Sequence, residues 1–224
     1  MKQFLEIEPE FYNYDRSKFV VIPCPHEVST SYGKGTKHGP AAILKAAQQV
    51  ETFDEDLGYE PYRQAWIYTE NPTKVQNLKV KIQKLMREPK IPVILGGEHS
   101  ITPFAVETLA EKYKKLTVLQ LDAHADLRDV YKGKRDSHAC VMRRVLEICP
   151  AVQAGIRSIS AEEWAWAKKS GQLDKIHFAE KLEIVVVPVS NSFARGRKCC
   201  SPVVGSVAAT VTLCLIESAF PHLS

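Results

Sequence analysis

Cysteine is sparse in this 224-residue chain. Its six thiols form no Cys-x-x-Cys pair, which argues against a dense disulfide framework and against a thiolate zinc cage. Cys24, Cys140 and Cys149 read as reduced, mostly buried thiols, whereas Cys199 and Cys200 are adjacent. An excess of one charge sign is also missing. The net charge is +4, with Lys and Arg scattered among acids, so the charges read as a solvated surface and nucleic acid is not an expected partner. The opening stretch MKQFLEIEPEFYNYDR lacks an apolar core of the kind a signal peptide needs, which makes the cytoplasm the expected compartment. Long apolar runs are wanting as well. Residues Ser201 to Phe220 are numerous enough to span a bilayer, but Ser201, Ser206, Thr210, Thr212, Glu217 and Ser218 make the stretch weakly apolar, so no membrane association is expected. Neither a repeat nor a low-complexity tract divides the chain.

What is present is an alternation of strand and helix signals. KFVVIPCP is a short apolar run closed by prolines, and HGPAAILKAAQQV reads as a helix with Pro40 near its first turn. IPVILGGEHS is a buried strand ending in glycines, followed by the helical TPFAVETLAEKYKK and then by LTVLQLDAHADLRD. This order predicts an α/β fold of three layers, α/β/α, with a mainly parallel sheet covered on both faces. In such folds ligands bind beyond the carboxyl ends of the strands, where both GGEHS and DAHAD lie.

Asp122, His124 and Asp126 stand at every second position, so they converge on one side if the extended geometry persists that far. His99 follows Gly96 and Gly97, which let the backbone turn and leave the imidazole at the rim of a neighbouring strand. One aspartate alone would serve as a helix or turn cap, and one histidine alone would be structural. The group of four is different, because clustered carboxylates require a compensating cation. Imidazole and carboxylate ligands suit Mn(II), with Zn, Fe or Co as alternatives, and carboxylates can bridge two ions.

These segments together resemble the ureohydrolase family of arginases and agmatinases. GGEHS and LDAHADLRD are similar to its first two metal motifs, VSTSYGKGTKHGPAAILKA to its Gly-rich loop and helix start, DSHACVMRRVLE to its substrate-side histidine segment, and VQAGIRSIS to the strand and loop that follow. The likeness covers about Phe19 to Leu182 and is closer to agmatinases than to arginases. It implies an arginase-like fold, a homo-oligomer, and hydrolysis of a small guanidino substrate, agmatine first, to an amine and urea in polyamine biosynthesis. It implies two manganese ions: His99 and Asp126 on one, His124 on the other, Asp122 bridging, with a metal-activated hydroxide as nucleophile. His138 matches the histidine that moves protons beside the substrate, the alternative being a helix-start histidine bonded to backbone. Arg157 either orients an acidic neighbour or holds its loop.

The departure lies downstream. The family completes its cluster with an Asp-x-Asp motif and later uses a glutamate against the guanidinium. From Ile184 onward this chain has no aspartate and one glutamate, Glu217. The expected organisation is a ureohydrolase-like domain over residues 1–183 and an atypical tail over 184–224, arising from a reading-frame change after about Leu182 or a divergent end. The second metal should then bind weakly and activity should be impaired. Two other readings remain: a non-catalytic metal-binding relative or partner subunit, and a zinc amidohydrolase or deacetylase on the same fold.

Overall fold

The computed structural model describes residues 3–181 in full and the backbone alone of residues 211–216. The expected tail therefore falls largely outside the described residues.

The elements follow the alternation in the sequence. The first strand, β1, is Phe19–Cys24, followed by helices α1 (Gly39–Ala46) and α2 (Tyr62–Ala65), β2 (Ile67–Thr69), α3 (Val75–Arg87) and β3 (Ile91–Gly96). Next come α4 (Thr102–Lys112), β4 (Leu116–Leu121), α5 (Val141–Leu146), β5 (Ala151–Ile156), α6 (Ala161–Ser170) and β6 (Ile176–Phe178), with β7 at Val211–Ile216. Helix α3 buries Val75, Leu78, Ile82, Leu85 and Met86, an apolar stripe at helical spacing. Helix α6 starts at a reciprocal capping box between Ser160 and Glu163 and stops at Gly171, whose left-handed conformation suits glycine.

The strands form two hydrogen-bonded sheets. One has the order β2-β1-β3 and is parallel throughout; the other has the order β6-β5-β4-β7. Within the second, β4, β5 and β6 are parallel and β7 runs antiparallel to β4. This last strand falls within the expected atypical tail of residues 184–224. VTLCLI is rich in β-branched and apolar residues, and in place of polar alternation it uses a partner strand, pairing along all of β4 from Leu116 to Leu121.

Helices flank these sheets, with α3 against α4 and α4 against α5. Strand β1 is buried on both faces from Val20 to Cys24. A single cluster joins Val20 and Ile22 of β1 to Leu116 and Val118 of β4, Ala151 and Ile156 of β5, and buried residues of α3 to α6. The parallel registers bring strand ends level: Cys24 lies opposite Gly96, and Leu121 opposite Ala154. The loops that leave those ends carry GGEHS and DAHAD. Among the described residues no helix is long and apolar enough to cross a membrane.

Candidate metal centre

Glycine at position 97 is demanded by the neighbouring loop. A Cβ there would run into the backbone of His26, because Gly97 N–H donates to the Cys24 carbonyl and Glu98 N–H to the His26 carbonyl. This close approach fixes the turn after β3 and delivers His99 at the start of a short 3-10 turn leading into α4. On the other sheet, β4 ends at Leu121 and the chain leaves it as a stitched loop. Asp122 N–H donates to Ala154 O, the N–H groups of Arg157 and Ser158 both donate to Ala123 O, and Ala125 N–H donates to Ser158 O. Ala125 and Leu127 are buried, and Leu127 N–H donates to the Glu163 carboxylate at 2.8 Å. Asp126 takes a left-handed φ of 51°, and its carbonyl accepts from the Met142 and Arg143 N–H groups at the start of α5.

This path brings together His99, Asp122 and Asp126, whose ligand atoms all lie within 4.8 Å of one another. His99 Nδ1 is 2.9 Å from Asp126 Oδ2 and 3.8 Å from Asp122 Oδ2. The side chains are only 9%, 5% and 12% exposed for His99, Asp122 and Asp126 respectively. Two largely buried carboxylates facing one imidazole leave a net negative charge even if the imidazole is protonated, so the donor set fits a divalent cation. Oxygen and imidazole nitrogen without thiolate suit manganese and its first-row neighbours.

His124 is not brought into this group. Its side chain is 53% exposed, with Nδ1 3.4 Å from Asp122 Oδ1, and its N–H donates to that same oxygen at 2.8 Å. The alternation that put Asp122, His124 and Asp126 on one side assumed an extended backbone, and the strand stops one residue before Asp122. Asp122 thus faces His99 with Oδ2 and His124 with Oδ1.

His138 is held by hydroxyls. Its Nδ1 is 3.3 Å from the Oγ atoms of both Ser29 and Ser137, its Nε2 is 2.9 Å from Ser31 Oγ, and its backbone N–H donates to Ser29 Oγ at 2.9 Å. Tyr131 packs edge-on against the ring, and its hydroxyl accepts from Ser31 Oγ. His138 thus opens a short helical turn, and its ring nitrogens contact side-chain hydroxyls. Arg157 is exposed and ties down the Ala123 carbonyl through its backbone, in keeping with the loop-holding alternative.

Sequence reasoning missed Glu98, which is only 6% exposed. Its Oε2 accepts from Val28 N–H at 2.7 Å and Ser29 N–H at 2.8 Å, and its Oε1 from Ser29 Oγ at 2.7 Å and Ser100 Oγ at 2.5 Å. Burial pushes its pKa up, but these hydrogen bonds outweigh burial and hold the carboxyl below its ordinary range. Glu98 therefore links the turn that carries His99 to the serine that orients His138. A charged residue directly after an apolar strand and two glycines was the available signal.

Residues 17–195 match the model of the arginase family. The chain is 40% identical to an N(1)-aminopropylagmatine ureohydrolase of Synechocystis, over 72% of this chain and 58% of that protein. It is 30% identical to an agmatinase of Bacillus cereus, over 83% of this chain and 67% of that one. Among solved structures, the agmatine ureohydrolase of Thermoplasma volcanium superposes with a TM-score of 0.64 at 29% identity, covering 80% of this chain and 61% of that one. The chain thus spans less than two thirds of the length of the Synechocystis relative.

Proposed function

Because this chain belongs to the arginase family, we propose that it is an agmatinase-type ureohydrolase, cleaving a guanidino compound to an amine and urea in polyamine biosynthesis. The observation that carries this reading is the convergence of His99, Asp122 and Asp126 at the carboxyl ends of β3 and β4. In this reading the three residues would hold one manganese ion, and Asp122 with His124 would bind a second, weaker one. Bound there, divalent cations supply the positive charge that makes water nucleophilic at neutral pH.

The chain's own residues divide the remaining work. Asp122 and Asp126 carry the negative charge that fixes the cations, and the backbone bonds from Arg157 and Ser158 keep their loop from opening. His138 sits between Ser29 and Ser31 with both ring nitrogens in contact with hydroxyls, so a proton taken at one nitrogen can be released at the other. That arrangement suits delivery of a proton to the departing amine. No Asp-x-Asp motif follows Ile184, so turnover is expected to be well below the ordinary enzyme range of about 10 per second.

Agmatine is the first substrate in this proposal. A second reading, N(1)-aminopropylagmatine, is favoured by the 40% identity to the Synechocystis protein. Urea release from each compound by the manganese-loaded chain tests both. Slow, metal-dependent urea formation is expected. Retained manganese with no urea from either compound would favour the non-catalytic metal-binding reading.

A further inference from the structure

Three glutamines lie in the core of the second sheet. Gln120 of β4 and Gln153 of β5 are 0% exposed and Gln172, in the turn before β6, is 4% exposed. Gln120 continues the buried face of Leu116 and Val118, and Gln153 that of Ala151, so both occupy positions at which an aliphatic residue would ordinarily sit. Their amides are joined in one direction. Gln172 Nε2 contacts Gln153 Oε1 at 3.4 Å, Gln153 Nε2 donates to Gln120 Oε1 at 2.6 Å, and Gln120 Nε2 reaches Asp122 Oδ2 at 3.4 Å. Each amide nitrogen also has a second acceptor: Ala151 O for Gln172, Ala125 O for Gln153 and His124 O for Gln120.

We infer that Gln120, Gln153 and Gln172 are positioning residues for the metal centre, a buried chain of amides that sets the carboxylate of Asp122 and the backbone of the loop carrying His124 and Asp126. This rests on the metal reading proposed above and goes beyond it, since none of the three is among the residues that would hold the cation. Two features support it. The amide groups run donor to acceptor toward a carboxylate, so each bond polarises the next and the final N–H is aimed at a charged oxygen. The side bonds fall on the carbonyls of residues 124 and 125, between the two aspartates that must stay 4.8 Å or less from His99. Outer partners of this kind typically govern metal affinity by about 10- to 100-fold.

The test is manganese titration of the full chain, followed by the electron paramagnetic resonance of Mn(II), in wild type, Gln153→Met and Gln120→Met/Gln153→Met. The double variant removes both ends of the inter-strand amide bond, so neither amide is left half-satisfied and folding is kept more readily. Ile82→Val, in the core of α3, serves as a control for destabilisation away from the chain. Expected is native far-ultraviolet circular dichroism, manganese affinity weakened by about 10-fold or more, and an altered spectrum of the bound ion, with Ile82→Val matching wild type. Affinity within about 2-fold of wild type in a folded glutamine variant would overturn the inference while leaving the metal reading intact. Loss of folding in both glutamine variants would make the chain a folding element and also overturn it. Failure of wild type itself to bind manganese would instead remove the metal reading, and the positioning role with it.

Discussion

Replacing Glu98 with alanine removes one acceptor from four donors at once. Its carboxylate takes the N–H groups of Val28 and Ser29 and the hydroxyls of Ser29 and Ser100 at 2.5 to 2.8 Å. Hydrogen bonds to a charged acceptor contribute about 1.5–3 kcal/mol each, so their simple sum has an upper bound of about 6–12 kcal/mol. Three effects reduce it. Val28 is 62% exposed, so water can reach its N–H once the carboxylate is gone. The serine hydroxyls can rotate to new partners, and burying the carboxylate costs desolvation that alanine does not incur. A net loss of about 2–4 kcal/mol remains, which corresponds to a fall in Tm of roughly 4–16 °C for a chain of this size. Thermal unfolding measures that fall. Amide exchange supplies the local test, since protection at Val28 and Ser29 should drop further than at Val20 or Ile22 in the neighbouring strand. Glu98→Gln should lie between the two, because its amide nitrogen turns a donor toward donors. A change in Tm below about 2 °C with unaltered protection at Val28 and Ser29 would refute the clamp.

His99→Ala should weaken the first manganese by more than about 100-fold, beyond the effect of an outer partner, whereas His124→Ala should spare that ion and remove the weaker one; equilibrium dialysis of the two variants separates them. His138→Ala should lower any urea release while leaving manganese content unchanged, as measured by steady-state assay and metal analysis on the same samples. Cys24 is fully buried and its thiol is pushed up to about 11 by burial. At pH 8 only about one molecule in a thousand would carry the reactive thiolate, so Cys24 should resist alkylation in the native chain and react after urea denaturation, as read by peptide mass mapping.

The sequence disclosed the strands and helices around the site with fair completeness, because apolar runs closed by Gly or Pro are strong local signals. IPVILGG and LTVLQL became β3 and β4, and TPFAVETLAEKYKK between them became α4. Helices α2, α3, α5 and α6 were not read as helices, although α3 carries a 3.6-residue stripe and α6 a Ser-x-x-Glu capping box. At the site, His99, Asp122 and Asp126 converge, but not for the reason spacing suggested. A left-handed Asp126 and a strand ending at Leu121 replace the extended backbone that would have placed His124 with them. Loop paths of this kind depend on partners distant in sequence, here the carbonyls and N–H groups near residues 154–158, which a reading of one segment at a time does not reach. The glutamine chain was hidden for a related reason. Strand alternation reveals that Gln120 and Gln153 face inward, and only the register between β4 and β5 sets them opposite each other.

Titration of the full chain with Mn(II), counting ions retained after dialysis, tests the central claim most directly. The account predicts one tightly held ion per chain on His99, Asp122 and Asp126, abolished by Asp126→Ala, and a second that washes out. Two equally tight ions, or none, would contradict it.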